Sequence, residues 1–153
     1  MGFLEKRMEI IKAGKAPAFS NSGVTSTQLL FPENSKSQRT TITRVSIKPG
    51  AVNPPHKHET SEQVWVALQG RGRLLLAAGK ELPLEQGDVV RFEDGDVHGF
   101  KNTGKVAFEY LSVTSPPLNF RAAYDKSWSN TTRKEAQPGA PADGPRAARS
   151  SRR

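Results

Sequence analysis

Glycine-centred turns divide the middle of this chain into segments that are too short for ordinary helices. Turn sequences lie at residues 49–50, 70–72, 78–80, 86–88, 93–96 and 102–104, and each contains glycine. The longest apolar runs between them, residues 64–68 and 74–78, have the length of strands. Many short strands, turns of this kind and no sustained helical period indicate an all-β sandwich or barrel.

The predicted strands cover residues 8–12, 25–30, 40–47, 63–68, 72–77, 80–83, 88–92, 98–102 and 107–113. Two consecutive prolines, Pro116 and Pro117, are expected to end the β region, because proline cannot donate a hydrogen bond to a strand ladder. Residues 121–128 are predicted to form a short helix or an arm.

Three histidines, His56, His58 and His98, are the only ones in the chain. Side chains alternate along a strand, so an H-x-H pair there places both imidazoles on one face. A third imidazole from a neighbouring strand would complete a site for a transition metal. The chain has no cysteine, so any metal must be held by nitrogen and oxygen donors.

The histidines occur in two glycine-framed motifs that resemble those of the cupin superfamily. In the first motif, five residues separate Gly50 from His56, and the H-x-H pair is followed by Gly70. The resemblance covers about half the chain, roughly residues 40–117. It implies a small jelly-roll β-barrel with a divalent transition metal, Zn, Mn, Fe, Ni, Co or Cu, inside one end.

The second motif begins at Gly87 and continues through Gly95 and His98 to Asn102. Its spacing is similar to that of the family, except that Glu93 stands where the family has proline. For Asn102 we predict a turn hydrogen bond just before Gly104 rather than a catalytic role.

The resemblance also implies a fourth metal ligand, for which both Glu62 and Gln63 fit the spacing from His58. Six residues separate Gln63 from Gly70, as in the family motif, whereas Glu62 leaves seven. Strand alternation would then place Gln63, Trp65 and Ala67 inside and Glu62 outside. We therefore predict His56, His58, Gln63 and His98 as the ligands, with Glu62 as the alternative.

Three aromatic residues are candidates for the substrate pocket. Trp65 and Phe100 share the strand parity of Gln63 and His98, so each is either a pocket wall or barrel core. Tyr110 has a polar tip that a buried position must satisfy, which makes it a candidate proton donor in catalysis.

Charge and composition favour a protein that acts on a small molecule over one that binds nucleic acid or spans a membrane. The net charge is +8, and residues 129–153 hold six Lys/Arg against Glu135 and Asp143. This segment lacks aromatics and large aliphatics, so we predict a disordered basic tail and no specific nucleic-acid binding. No apolar run reaches the roughly 20 residues of a membrane span, and no secretory signal is visible, so a cytoplasmic location is expected.

The expected organisation is an N-terminal region of strands or arm at residues 1–39, a cupin core barrel at 40–117, a C-terminal arm at 118–128 and the tail at 129–153. A homodimer is expected, in which the N-terminal stretch covers an exposed sheet edge.

Three functions are compatible with these features. The first is a metal-dependent lyase, isomerase or cyclase that acts on an anionic hydroxy-, keto- or sugar acid by Lewis-acid catalysis. The resemblance also implies a metal-dependent dioxygenase as an alternative. A non-catalytic, ligand-binding cupin is the third possibility, since one fold hosts many activities.

Overall fold

The computed structural model describes residues 8–120 and the backbone of Ser129 and Asn130. These residues form strands and one short 3₁₀ turn at Ala77–Gly79. The strands are β1 (Ala18–Asn21), β2 (Val24–Leu30), β3 (Thr41–Ile47), β4 (Val52–His56), β5 (Glu62–Gln69), β6 (Arg71–Leu76), β7 (Glu81–Glu85), β8 (Val89–Phe92), β9 (His98–Lys101), β10 (Phe108–Ser115) and β11 (Ser129–Asn130). The all-β prediction is confirmed. No helix in the described part of the chain is long and apolar enough to cross a bilayer.

Two antiparallel sheets make up the barrel. The larger has the order β11-β1-β2-β3-β10-β5-β8, and the smaller has the order β4-β9-β6-β7. The sheets meet through their inner faces, where Phe100 of β9 stacks on Phe108 of β10 with ring centroids 3.9 Å apart. The interior lies between the sheets, so a side chain from either one can reach the same site.

Strand alternation decides which side chains enter this interior. In β10, Phe108, Tyr110, Ser112 and Thr114 are buried, whereas the residues between them are partly exposed. In β3 and β5 the same alternation is present. Both strands flank β10 in the sheet, so their buried residues line up with those of β10 as transverse rows.

These rows divide the interior of the larger sheet into two ends. One row joins Val24, Ile47 and Phe108 across β2, β3 and β10. Together with Phe100, Leu74 and Leu84 it forms the part of the core that we call the apolar end. At the opposite end of the same strands lie buried polar side chains, which we call the polar end: Gln28, Thr41, Thr43, Gln63, Ser112 and Thr114.

Several predicted elements differ from the structure. Residues 8–12 form no strand, whereas the unpredicted β1 does. The unpredicted β4 contains Pro54 and Pro55, and it lies at the edge of its sheet. An edge strand tolerates proline because one side of its backbone needs no ladder partner.

The predicted start of the tail at residue 129 is wrong for its first two residues. Ser129 and Asn130 pair with Ser20 and Phe19 of β1. An exposed strand edge offers unpaired backbone groups, which even a segment without apolar side chains can satisfy. The predicted helix or arm at 121–128 and the rest of the tail lie outside the described residues.

Candidate metal centre

The three histidines converge inside one end of the barrel. His56 ends β4 and His98 begins β9, and the two are register partners in the smaller sheet. The ring of His56 lies 5.1 Å from that of His58 and 4.6 Å from that of His98, measured between centroids. One nitrogen from each ring lies within 4.8 Å of the others. His58 lies beyond the end of β4, so the chain after the strand, and not strand alternation alone, brings it to the group.

Backbone carbonyls select the tautomer of two of these histidines. Nδ1 of His56 lies 2.8 Å from the carbonyl oxygen of Pro54, and Nδ1 of His98 lies 2.8 Å from that of Asp96. A carbonyl oxygen can only accept, so each Nδ1 carries the proton. Each Nε2 then keeps its lone pair, and the ring is held in a fixed orientation, as metal-binding histidines require.

The third ring, His58, has a buried Nε2 with no hydrogen-bond partner among the described residues. Burial, reinforced by the neighbouring His56, lowers the pKa of His58 to about 4. Burial likewise lowers the pKa of His98 to about 4 and shifts the pKa of His56 downward. All three imidazoles are therefore neutral near pH 7, the form that binds metal.

Gln63 lies inside the barrel, against the histidines. Its Oε1 is 3.1 Å from Nε2 of His98 and accepts the indole N–H of Trp65 at 2.7 Å. Its Nε2 donates to Oγ1 of Thr114 at 2.8 Å. Because an indole nitrogen can only donate, Trp65 fixes the amide with its oxygen toward His98.

Two acceptors therefore face each other, the Gln63 oxygen and the Nε2 lone pair of His98. A proton between them would require an imidazolium, because Nδ1 of His98 is already protonated, and the low pKa of His98 opposes that form. A metal ion satisfies both acceptors together with the unpaired Nε2 of His58. The residues thus fit a divalent transition metal with nitrogen and oxygen donors.

Glu62, the alternative ligand, points away from this centre. Its carboxylate pairs with the Arg91 guanidinium at 2.6 Å on the outer surface of the barrel. The orientation of both residues agrees with the alternation expected from sequence. Ligation by Gln63 stays a prediction.

Trp65 and Phe100 are both buried in the barrel, as expected for the core role that the sequence allows for each, and a role in a substrate pocket stays a prediction. Trp65 is 1% exposed and packs between Phe92 and Tyr110. Phe100 is two residues along β9 from His98 and lies in the apolar end, stacked on Phe108. Strand parity correctly places both rings inside, but it does not distinguish the metal layer from the layers beneath it.

A cavity of about 80 Å³ adjoins the centre, with Gln63 and Tyr110 among its walls. Tyr110 is buried, and its phenol oxygen accepts a hydrogen bond from Nδ2 of Asn53 at 3.1 Å. The phenol of Tyr110, the predicted proton donor, therefore lies in the cavity wall together with Gln63. Phe120 also lines the cavity, and its ring lies 5.5 Å from that of His58.

Sequence reasoning missed Asn53 and Phe120. Asn53 lies on β4, where the following Pro-Pro pair hides the strand character of the segment. Its position three residues before His56 inside the first motif was the available signal. Phe120 lies beyond the β region, and nothing in its sequence context connects it to a histidine in the first motif.

Apart from His98, the residues of the second motif stabilise turns. Asn102 donates to the carbonyls of Ile47 and Val106 and accepts from the amide of Gly104 at 2.9 Å, so the predicted turn hydrogen bond is confirmed. The backbone N–H of Glu93 donates to the Asp96 carboxylate at 2.8 Å. A proline at this position would lack that donor, so the departure from the family pattern is used in the turn.

A comparison with protein families matches residues 43–114 to the Cupin domain model. The matched stretch contains the three histidines, Gln63 and Tyr110. A curated relative named oxalate-binding protein, from Thermotoga maritima, is 32% identical over 85 residues, which are 56% of this chain and 69% of that protein.

Solved structures show the same architecture. One, named a predicted oxalate decarboxylase from Thermotoga maritima, superposes with a TM-score of 0.61 at 25% identity and covers 71% of this chain and 99% of its own. A polyketide cyclase from Streptomyces resistomycificus superposes with a TM-score of 0.60 at 23% identity, over 71% of this chain and 79% of its own. The predicted jelly-roll barrel is confirmed.

Proposed function

The chain belongs to the cupin family, and from that premise we propose that it is a metal-dependent enzyme for a small anionic hydroxy-, keto- or sugar acid. The proposed reaction is of the lyase, isomerase or cyclase type. The observation that carries the proposal is the convergence of neutral donors: the imidazoles of His56, His58 and His98 and the amide oxygen of Gln63.

The neutral charge of the four donor side chains favours Lewis-acid chemistry on an anionic substrate. A divalent metal held there supplies Lewis-acid polarisation of a substrate oxygen. Because none of the four donor side chains is charged, they leave the full positive charge of the ion to attract an acid. The Thermotoga relative is named for oxalate, a small dicarboxylate, which supports a small chelating acid as the ligand class.

Tyr110 is the residue proposed to move a proton. Its phenol lies in the wall of the cavity, beside Gln63, and Asn53 orients it by donating to its oxygen. The phenol is the group proposed to donate a proton to a bound acid. This role distinguishes Tyr110 from the residues that hold the metal, since its loss would impair turnover while the ion and the acid still bind.

A second candidate is binding without turnover, which the name of the oxalate-binding relative favours. The donor set is less suited to the dioxygenase alternative. Anionic ligands help stabilise oxidised iron, and Glu62, the alternative fourth ligand, pairs with Arg91 outside the barrel.

The test begins with the metal content of protein purified without a chelating tag. Zn-, Mn- and Fe-loaded samples are then assayed anaerobically by NMR with hydroxy, keto and sugar acids. We expect turnover without O₂, with Zn or Mn as competent as Fe, and a lower kcat for Tyr110→Phe with metal content unchanged. Strict dependence on O₂ and on Fe, Ni or Cu would favour the dioxygenase. Tight binding without turnover would favour the binding protein.

A further inference from the structure

The cavity beside the metal centre extends along the polar end of the larger sheet. Thr43 of β3 and Ser112 of β10 are register partners and both line it. Ser26 of β2 contributes a third hydroxyl to the same wall. Because Gln63, one of the four predicted donors, is also a wall residue, a small molecule that reaches its amide can also reach these hydroxyls.

Thr43 lines the cavity with a hydroxyl that the described part of the chain leaves unsatisfied. Thr43 is 4% exposed, and its Oγ1 has no hydrogen-bond partner among the described residues. Leaving a buried hydroxyl unpaired costs roughly 1–3 kcal/mol. Valine has nearly the same shape and would avoid that cost. A ligand hydroxyl would pair with Thr43 and recover the lost interaction.

The cavity walls also restrict the charge of what enters. All of its lining residues within the described part of the chain are uncharged, so a second carboxylate would find no cationic partner there. The cavity volume of about 80 Å³ is small, which favours a short chain. Apolar side chains of Val24, Val45 and Phe120 complete the wall, so the cavity suits a neutral tail that carries hydroxyl groups on one side.

We propose that Thr43, with Ser112 and Ser26, forms a subsite for a neutral hydroxyl of the ligand. This inference rests on the proposed function, in which the acid group of the ligand lies at the metal. It narrows the ligand class to short polyhydroxy acids and disfavours simple dicarboxylates. Thr43 is the specificity-determining residue of this subsite.

Two acids of equal length test the proposal by calorimetry on Mn²⁺-loaded protein. Erythronate (2,3,4-trihydroxybutanoate) and 2-hydroxybutanoate share four carbons and the same chelating group, and only erythronate has hydroxyls beyond it. We expect erythronate to bind about tenfold more tightly, the size expected when a hydrogen bond satisfies a buried polar group. In Thr43→Val the ratio of the two Kd values should fall to about one.

Thr41→Val is the matched control. Thr41 is 1% exposed, and its Oγ1 is also unpaired among the described residues, but it does not line the cavity. The erythronate preference should persist in this variant. Neither valine variant should have a lower melting temperature than the wild type, because each removes a buried hydroxyl without a partner.

Every remaining outcome of the calorimetry would overturn part or all of the proposal. Equal affinity of the wild type for both acids, with binding dependent on Mn²⁺, would overturn the subsite and leave the proposed function intact. A preference that survives Thr43→Val would overturn the assignment to Thr43. Absence of Mn²⁺-dependent binding of either acid would overturn the subsite and the proposed function together.

Discussion

The apolar and polar ends of the barrel interior are built by the same strands, yet they carry opposite kinds of side chain. On β10 the buried residues change from Phe108 at one end to Ser112 and Thr114 at the other. On β3 they change from Ile47 to Thr43 and Thr41. The apolar rings pack against one another, whereas at the polar end Gln63 contacts His98 and the hydroxyls of Thr41 and Thr43 find no partner among the described residues.

The residues that stabilise the fold and the residues near the candidate site therefore lie at different positions along the same strands. Burying a large apolar side chain contributes about 1.5–3 kcal/mol, so residues such as Phe108 stabilise the fold. Buried polar groups give a much smaller net gain and cost free energy when they have no partner. The polar end is thus less stable than an apolar core would be.

The largest expected effect is on the apolar end. Phe108→Ala should lower the free energy of unfolding by about 3–5 kcal/mol, because it opens a cavity under Phe100. Urea denaturation of the metal-free protein measures this change. Val106→Ala is the control: its side chain is 55% exposed, so a change within about 0.5 kcal/mol is expected. Equal losses in the two variants would contradict the division into two ends.

At the polar end the expected loss is of metal rather than of stability. His58→Ala should weaken metal affinity by about tenfold or more, the loss typical of disrupted metal sites. The unfolding free energy of the metal-free protein should change less than in Phe108→Ala, since Nε2 of His58 makes no hydrogen bond with the described residues. Competition with a chelating dye measures the affinity. Lys57→Ala, between the two histidines, should retain the metal; full metal affinity in His58→Ala would remove that residue from the site.

A smaller effect distinguishes the two faces of β5. Gln63→Ala should weaken metal binding severalfold and destabilise the metal-free protein by about 1–3 kcal/mol, because the Trp65 indole loses its acceptor. Glu62→Ala breaks only an exposed ion pair with Arg91, which typically contributes about 0–1 kcal/mol. Both variants are compared by dye competition and urea denaturation. Weaker metal binding in Glu62→Ala alone would reverse the assignment of the fourth ligand.

Strand alternation explains why much of the site was predictable. The period of two in β5 places Gln63 inside and Glu62 outside, whatever the details of packing. The spacing of the two motifs identified the three histidines that come together. Alternation does not show how deep in the barrel a side chain lies, however, and for that reason the sequence left Phe100 as either a pocket wall or barrel core, whereas the structure stacks it on Phe108.

Two strands, β4 and β11, were not predicted because they form through pairing with distant parts of the chain. β4 contains two prolines and is a strand only because it lies at a sheet edge, paired with β9. β11 pairs with β1, more than a hundred residues earlier in the chain. Such pairings depend on which edges the folded sheets leave open, and composition does not contain that information.

The sequence by itself determined the all-β architecture, the inward and outward faces of its main strands and the three imidazole donors, since these follow from local periodicity and residue chemistry. Only the tertiary structure decided the rest. The carbonyls of Pro54 and Asp96 set the ring tautomers, and Trp65 turns the Gln63 oxygen toward His98. Hydroxyls from separate strands share one cavity. The carbonyl and indole contacts join residues two positions apart. The approach of Gln63 to His98 and the shared cavity join residues far apart in the chain, and these distances exist only once the two sheets have closed around their interior.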